Sequence, residues 1–511
     1  MLNRRLAASL LTTGLLSGAW PLTAAAQRTK TPARPEPTVG LNIPINVNAP
    51  FPKAEDNLPY FDDFSWQEFI ALTWPVRVST SAPYLRGVPD SKKKYGDVSV
   101  PAVWETWKAD YELFLPDGAA PADWQSFATQ SPCGGEGTLV PYQKVLGSFD
   151  KYHGFNQASM TESGGPLVSQ NGQYVRYETR VNQAEYKYIT NPGAPYPGPL
   201  YLVKNLPANG SANPALKFPS GSVEIKASWR VMTGVPDKQR KRYYITQAKL
   251  LDPVSGTCTV ADVGLIGLHI VNKTPSLPQW VWSTFEHVDN VPALPGEKTQ
   301  GSAPYALNDN DPKTVPSEMG SPVSQCNPPQ PHPVPTQVVR KRPIAASTQL
   351  TNKAYQQAKG VKGTVWENYQ LVVTQWPVNG TDTFPSTTQP QPQTNTANVA
   401  TETWLQDSTA TSCMGCHSVS NSHQYDYVWF LPIGAYPRQS EPCQPQVASA
   451  TPAAQPAANP MARAADSLEV SPAAPQQPAA VHPAVERRTK AVIELRDLLK
   501  RTRQAQAATA D

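Results

Sequence analysis

Cys413, Met414, Gly415, Cys416 and His417 read C-x-x-C-H, the attachment signature of c-type haem. Two thiols one helical turn apart can each form a thioether with one of the two haem vinyl groups, and the adjacent imidazole then reaches the iron. With six cysteines and seven histidines in 511 residues, residue frequencies alone give such a motif about 0.001 times per chain of this length. A thioredoxin-like dithiol wants a βαβ context that the sequence lacks. A zinc site wants a second ligand pair, and no other C-x-x-C or H-x₃-H occurs. The motif predicts one covalent haem c, with Cys413 and Cys416 holding it and His417 as the proximal iron ligand.

The opposite side of the iron decides the chemistry. A strong sixth ligand leaves single-electron transfer, whereas an open position admits oxygen, nitric oxide or peroxide. The other histidines are His153, His269, His287, His332, His423 and His482. His332 lies in a Pro-rich loop, His482 in the tail, and His423 only six residues beyond His417. His269 sits in a Gly-rich apolar strand, where Gly264 and Gly267 would let a flat macrocycle approach. His287 shares a strand face with Val281, Ser283 and Phe285. His269 or His287 is therefore the expected distal ligand, each weighed against a core histidine bonded to its neighbours. Met160, Met232 and Met319 are further options, Met232 the best placed, and Met461 falls in a low-complexity tail.

Cys133, Cys258, Cys326 and Cys443 remain. An even number in an exported chain suggests two disulfides with three possible pairings, of which Cys133–Cys258 with Cys326–Cys443 is the expected one. No Gly-rich phosphate loop, G-x-S-x-G or paired-histidine metal motif occurs. Asn308-Asp309-Asn310-Asp311 has oxygen ligands that suit calcium, but reads first as a turn.

The elements around these residues follow from composition. Proline is about twice its usual ~5%, at 55 residues, which excludes long helical bundles. Charged residues are only 16%. Alternation over Tyr174–Arg180, Val223–Val231, Arg242–Leu251 and Trp280–His287, with the apolar run Cys258–Val271, predicts a mainly antiparallel sheet. Thr364–Trp376 reads as a further strand. Asp62–Leu72, Ile344–Lys359 and Ala397–Gln406 read as short helices, the first capped by Ser65 with Glu68. The fold class expected is mainly β with short helices (α+β): an antiparallel sheet body and a C-terminal helical haem-attachment segment.

Arg4-Arg5, the apolar stretch Leu6–Leu16 and Ala24-Ala25-Ala26 form a secretory signal peptide over residues 1–26. Its apolar core is shorter than the ~20 residues of a spanning helix, so no transmembrane segment is expected in the mature chain. Residues 27–50 read as a disordered or extended arm, 51–345 as the β-rich body, and 346–443 as the haem-attachment region. Residues 444–483 read as a Pro/Ala-rich linker, and 484–511 as a basic helix. Glu486–Arg503 carries seven basic against three acidic residues. With that segment and the leader set aside the chain is near neutral, which argues against nucleic-acid binding.

Phe64-Ser65-Trp66-Gln67-Glu68-Phe69, Gly267-Leu268-His269-Ile270, Trp280–Asn290 and the single Cys413–His417 motif together resemble a group of bacterial exported proteins known as cytochrome c family proteins. The likeness spans about residues 55–435. It implies haem and export, and no particular substrate. Unlike small cytochromes c, the motif sits late in this chain, with only the tail beyond it. The expected function is a periplasmic electron carrier with a redox partner protein. The alternatives are a haem enzyme or gas/peroxide binder with an open distal site, and an exported scaffold in which haem is structural.

Overall fold

The computed structural model describes residues 34–49, 57–149, 165–207, 212–252, 254–297, 301–317, 328–377, 390–391, 397–403, 413–414, 417, 420 and 424–437. The expected signal peptide, linker and basic helix lie outside the described residues.

The alternating segments become one nine-stranded sheet. Its strands are β1 Lys108–Ala109, β2 Val145–Leu146, β3 Arg176–Val181, β4 Val223–Val231, β5 Ile245–Leu251, β6 Cys258–Thr274, β7 Leu277–His287, β8 Tyr369–Pro377 and β9 Pro390–Gln391. The order is β1-β3-β4-β6-β7-β8-β9, and β5 pairs with both β6 and β2. Long strand β6 organises the whole. One edge pairs with β4, and the other pairs first with β5 and then with β7. All pairings are antiparallel except β2 with β5, which is parallel, so the expected antiparallel sheet is in fact mixed. Ser148, just beyond β2, bridges Tyr177 of β3. The sheet thus curls until β2 meets β3.

Register sets the two faces. Arg180, Ile225, Ile270, Ser283 and Thr374 lie side by side across β3, β4, β6, β7 and β8. Side chains in such a row point the same way. This face takes helix α1, Leu58–Leu72, which packs Trp66 and Phe69 against Phe285. The α1 cap is Asn57, with proline in the first turn. Ser65 is not the predicted cap but a mid-helix residue, its Oγ 2.7 Å from both Ser283 Oγ and Thr374 Oγ1. Asp62, Ser65 and Glu68 recur every three residues and form a buried polar stripe against the sheet.

Inside the curl the same face holds an ionic cluster. Lys144 pairs with Glu178 and Glu105, and Arg180 pairs with Glu178. The Lys144 ammonium also lies over the rings of Trp104 and Trp229. Such a cluster is tolerable in an apolar interior because each charge meets several partners.

Helix Ala346–Gln356 packs beside α1 through Asn352, whose Oδ1 accepts from Trp66 Nε1 at 2.9 Å. Strand β8 pairs with β7 along most of its length. The chain after residue 345 thus supplies β8 and β9 to the sheet that the earlier strands begin. Residues 34–49 are irregular in backbone and pack against the body. Arg34 donates to Ser347 O, and Val47 joins a cluster with Phe61 and Trp376. Residues 397–403 form turns rather than the predicted helix. No helix among the described residues is long and apolar enough to cross a membrane.

Candidate functional site

On the other face, Val181, Glu224, Val271, Trp282 and Gln375 form a second row across the same five strands. Trp282 and Gln375 are direct cross-strand partners and are almost fully buried. Together they position the C-x-x-C-H segment. Gln375 Oε1 accepts a hydrogen bond from the Cys413 backbone N–H at 2.7 Å. The Trp282 ring lies 4.3 Å from the His417 ring, tilted by 47°. Trp282 is itself fixed, its Nε1–H donating to Gln279 O at 3.1 Å. Between these anchors Met414 points into the main core, while Cys413 and His417 are half-buried. Cys416 lies outside the described residues.

His417 Nδ1 is 2.6 Å from the carbonyl oxygen of Tyr427. A carbonyl only accepts, so the proton is on Nδ1, and Nε2 carries the lone pair. This is the arrangement that orients an imidazole for an iron or zinc ion.

The carbonyl is delivered by an unusual turn. Gln424, Asp426 and Tyr427 all have positive φ, at 68°, 53° and 68°, and each left-handed residue with a Cβ costs roughly 1–2 kcal/mol. The turn holds because its neighbours over-determine it. Asp426 accepts from the Phe218 N–H at 2.8 Å and from Lys273 at 2.6 Å, and its carbonyl accepts from Trp280 Nε1 at 3.0 Å. Ser420 adds a hydrogen bond to Val428 O.

The two distal candidates separate clearly. His287 is wholly buried and stacked on Tyr243 at 3.8 Å. Its Nε2–H donates to Arg242 O, and its Nδ1 accepts from the Asp289 N–H. Burial in this apolar stack pushes its pKa down to about 4. With both nitrogens committed, His287 is a core histidine and not an iron ligand. His269 is half-buried, aligned with Lys226 and Thr284 on the Trp282 face. It stands one strand over from Trp282 and two residues along, and its Nε2 is 3.0 Å from Glu402 Oε1.

The glycines do not open the sheet to a macrocycle. A Cβ on Gly264 would meet Met232 Sδ at 2.8 Å, and one on Gly267 would meet Ser228 Oγ. Both gaps are filled by the chain's own side chains, and Met232 belongs to that packing. His332 is a loop residue bonded to the Val334 backbone. His153, His423, His482, Met160, Met319 and Met461 lie outside the described residues.

The expected Cys133–Cys258 disulfide is present, tying the segment before β2 to the start of β6. Cys326 and Cys443 lie outside the described residues. Among the described residues no three His, Cys, Asp or Glu side chains converge as a metal site, which a single imidazole ligand does not require. Asn308–Asp311 is held by its own side chains: Asn308 Oδ1 accepts from the Asn310 N–H at 2.7 Å and Asp309 Oδ1 from the Asp311 N–H at 2.9 Å. The residues present fit a covalently held haem in their donor set: a half-buried cysteine and, four residues on, an imidazole with Nδ1 tied to a carbonyl. Polar residues of the far row were not foreseeable as a site, although the alternation of β4 and β7 already placed Glu224 and Trp282 on strands. No family model, no curated protein and no solved structure matches the chain.

Proposed function

We propose that this chain is an exported monohaem c-type cytochrome, with haem c on Cys413 and Cys416 and His417 as the proximal iron ligand, passing single electrons to a periplasmic partner. The observation that carries the reading is the hydrogen bond from His417 Nδ1 to the Tyr427 carbonyl. Bound haem supplies a one-electron Fe(III)/Fe(II) couple. The chain's part is positional. Tyr427 fixes the imidazole tautomer, Trp282 limits the ring's rotation, and Gln375 holds the Cys413 backbone. The likeness to bacterial cytochrome c family proteins supports the same reading.

A second reading, an open iron that binds gases or peroxide, is favoured by one observation. His269 on the same sheet face is already engaged with Glu402, and His287 is committed to the core. The visible spectrum of reduced protein from a host that matures c-type cytochromes, with and without carbon monoxide, tests both. A haem spectrum unmoved by carbon monoxide supports the electron carrier, and a shift supports the open site. A purified chain without covalent haem would remove both.

A further inference from the structure

The polar stripe between α1 and the sheet holds a run of three hydroxyls between two buried carboxyls. Asp62 Oδ1 accepts from Thr374 Oγ1 at 3.0 Å. Thr374 Oγ1 and Ser283 Oγ each lie 2.7 Å from Ser65 Oγ, and the Ser283 hydroxyl lies beside the Glu68 carboxyl. All five side chains are almost completely buried. Glu68 Oε1 accepts from Asn272, while its Oε2, shut off from water, is left without a partner among the described residues.

The number of protons decides the state of this run. It has four junctions: Asp62 with Thr374, Thr374 with Ser65, Ser65 with Ser283, and Ser283 with Glu68. Each hydroxyl brings one proton, so three protons serve four junctions. With both carboxyls ionised, one junction sets acceptor against acceptor. With both protonated, five protons crowd four junctions. A single carboxyl proton fills every junction, and it does so in either direction. Either Glu68 donates to Ser283, Ser283 to Ser65, Ser65 to Thr374 and Thr374 to Asp62, or the whole order reverses.

The surroundings make Glu68 the resting seat. Asp62 also accepts from Thr348 at 2.7 Å and feels the positive charge of Arg34, opposed by the neighbouring Asp63. Asp63 is itself engaged with Tyr355 and Gln67. Among the described residues the groups facing Glu68 are the Asn272 amide and the Ser283 hydroxyl, and neither is charged. Burial pushes Asp62 up to about 7 and Glu68 up to about 8, in the same order. Ser283 and Thr374 are cross-strand partners, and so are Trp282 and Gln375, their neighbours on the same two strands. The run thus lies across the sheet from the groups that seat His417 and Cys413.

We propose that Asp62 and Glu68 hold one proton in common, passed between them through Ser283, Ser65 and Thr374, and that its loss lowers the potential of a haem in the seat. The effect on potential rests on the cytochrome reading; the shared proton does not. Loss of the proton adds one buried negative charge behind the seat, and a negative charge favours Fe(III) over Fe(II).

The test is infrared spectroscopy of the purified full chain from pH 5 to 9. The Glu68 carboxyl band is the difference between chains with and without Glu68→Gln, taken in each background. It should be present at pH 6 and fade near pH 8. Ser65→Ala frees the Ser283 proton for Glu68, so the carboxylate gains a donor and its proton affinity should fall about tenfold. Thr374→Val should act in the same direction, because it frees Ser65 to donate to Ser283. Burial alone gives the opposite sign, since both changes make the surroundings more apolar. The two substitutions sit on different elements, so the result does not hang on one of them folding. A proton affinity unchanged or raised in these variants, or no Glu68 band at pH 6, would overturn the shared proton. The haem midpoint potential should fall with rising pH where the Glu68 band fades, and Glu68→Gln should remove that step. A potential indifferent to this window in both chains would overturn the link to the haem. A sample without haem bands would count against the cytochrome reading alone, and the infrared result would still decide the relay.

Discussion

Replacing Glu68 by Gln should stabilise the protein at alkaline pH and leave it nearly unchanged in acid. Glu68 is fully buried on α1, accepting from Asn272 Nδ2 with the Ser283 hydroxyl beside it. Burial pushes its carboxyl up from 4.5 to about 8. A raised carboxyl binds its proton more tightly in the folded chain than in the unfolded one. Its contribution is therefore complete below pH 4.5, is lost as pH rises, and is gone above about 8. At 1.36 kcal/mol per unit, that window corresponds to on the order of 5 kcal/mol. Asp62, pushed up to about 7 on the same stripe, contributes in the same sense, so the comparison must be between variants. Urea unfolding followed by tryptophan fluorescence, from pH 5 to 8.5, gives the two stabilities. The Glu68→Gln advantage should be within about 1 kcal/mol at pH 5 and several kcal/mol at pH 8. Parallel curves across that range would refute the claim that Glu68 is buried with its proton.

Three other outcomes follow from the described geometry. Gln375→Leu should remove the hydrogen bond to the Cys413 N–H, destabilising the chain by about 1–3 kcal/mol and, on the proposed haem reading, lowering the fraction of chain that carries covalent haem. Denaturant unfolding and the haem-to-protein absorbance ratio measure the two effects. His287 should remain neutral down to about pH 4, so its contribution to stability is complete above 6.5 and falls away as pH drops toward 4. Imidazole NMR resonances that titrate near 6.5 would contradict this. Replacing Cys133 and Cys258 together by Ser should cost about 4–5 kcal/mol, the loop-closure entropy of a bridge spanning 125 residues, read as a lower urea midpoint.

Strands β4, β5, β6 and β7 were legible because half-buried strands alternate and their turns carry Gly, Pro and Asp. The end of β4 at Val231 and the start of β6 at Cys258 fall where the pattern put them. Three things were hidden. Residues Ala397 to Thr403 have helical composition, yet Asn398 bonds Thr284 and the Phe285 carbonyl, so tertiary contacts replace the helix with turns. The parallel β2–β5 pairing joins a two-residue strand to one about a hundred residues away, and no local pattern specifies it. His269 and His287 look alike as alternating strand residues. Only the register, which sets His269 beside Lys226 and Thr284 and so on the face opposite to His287, assigns them different surroundings. The Cys413–His417 motif was legible as a spacing. Its seat was not, because Trp282 and Gln375 come from strands that are distant in sequence.

That seat explains why so large a sheet accompanies so short a motif. Covalent attachment alone holds a haem but does not orient the imidazole. Orientation here requires the Tyr427 carbonyl at one point, and that carbonyl belongs to a turn with three left-handed residues in four. Such a turn unwinds unless something stiffer holds it. Lys273 and Trp280, from the ends of the paired strands β6 and β7, grip Asp426 in the middle of it. Both partners of the Lys273–Asp426 pair are almost fully buried. Removing Asp426 would take from the buried Lys273 ammonium its carboxylate, at about 3–5 kcal/mol, so the turn and the sheet edge form together. Trp282, two residues beyond Trp280 on β7, then supports the His417 ring. One strand thus fixes both the carbonyl that sets the tautomer and the surface that sets the ring's tilt. A shift of β7 by a single residue would send both to opposite faces. The length of β6 and β7 and their pairing on both sides protect that register, and the imidazole geometry is a product of strand pairing rather than of the five-residue motif.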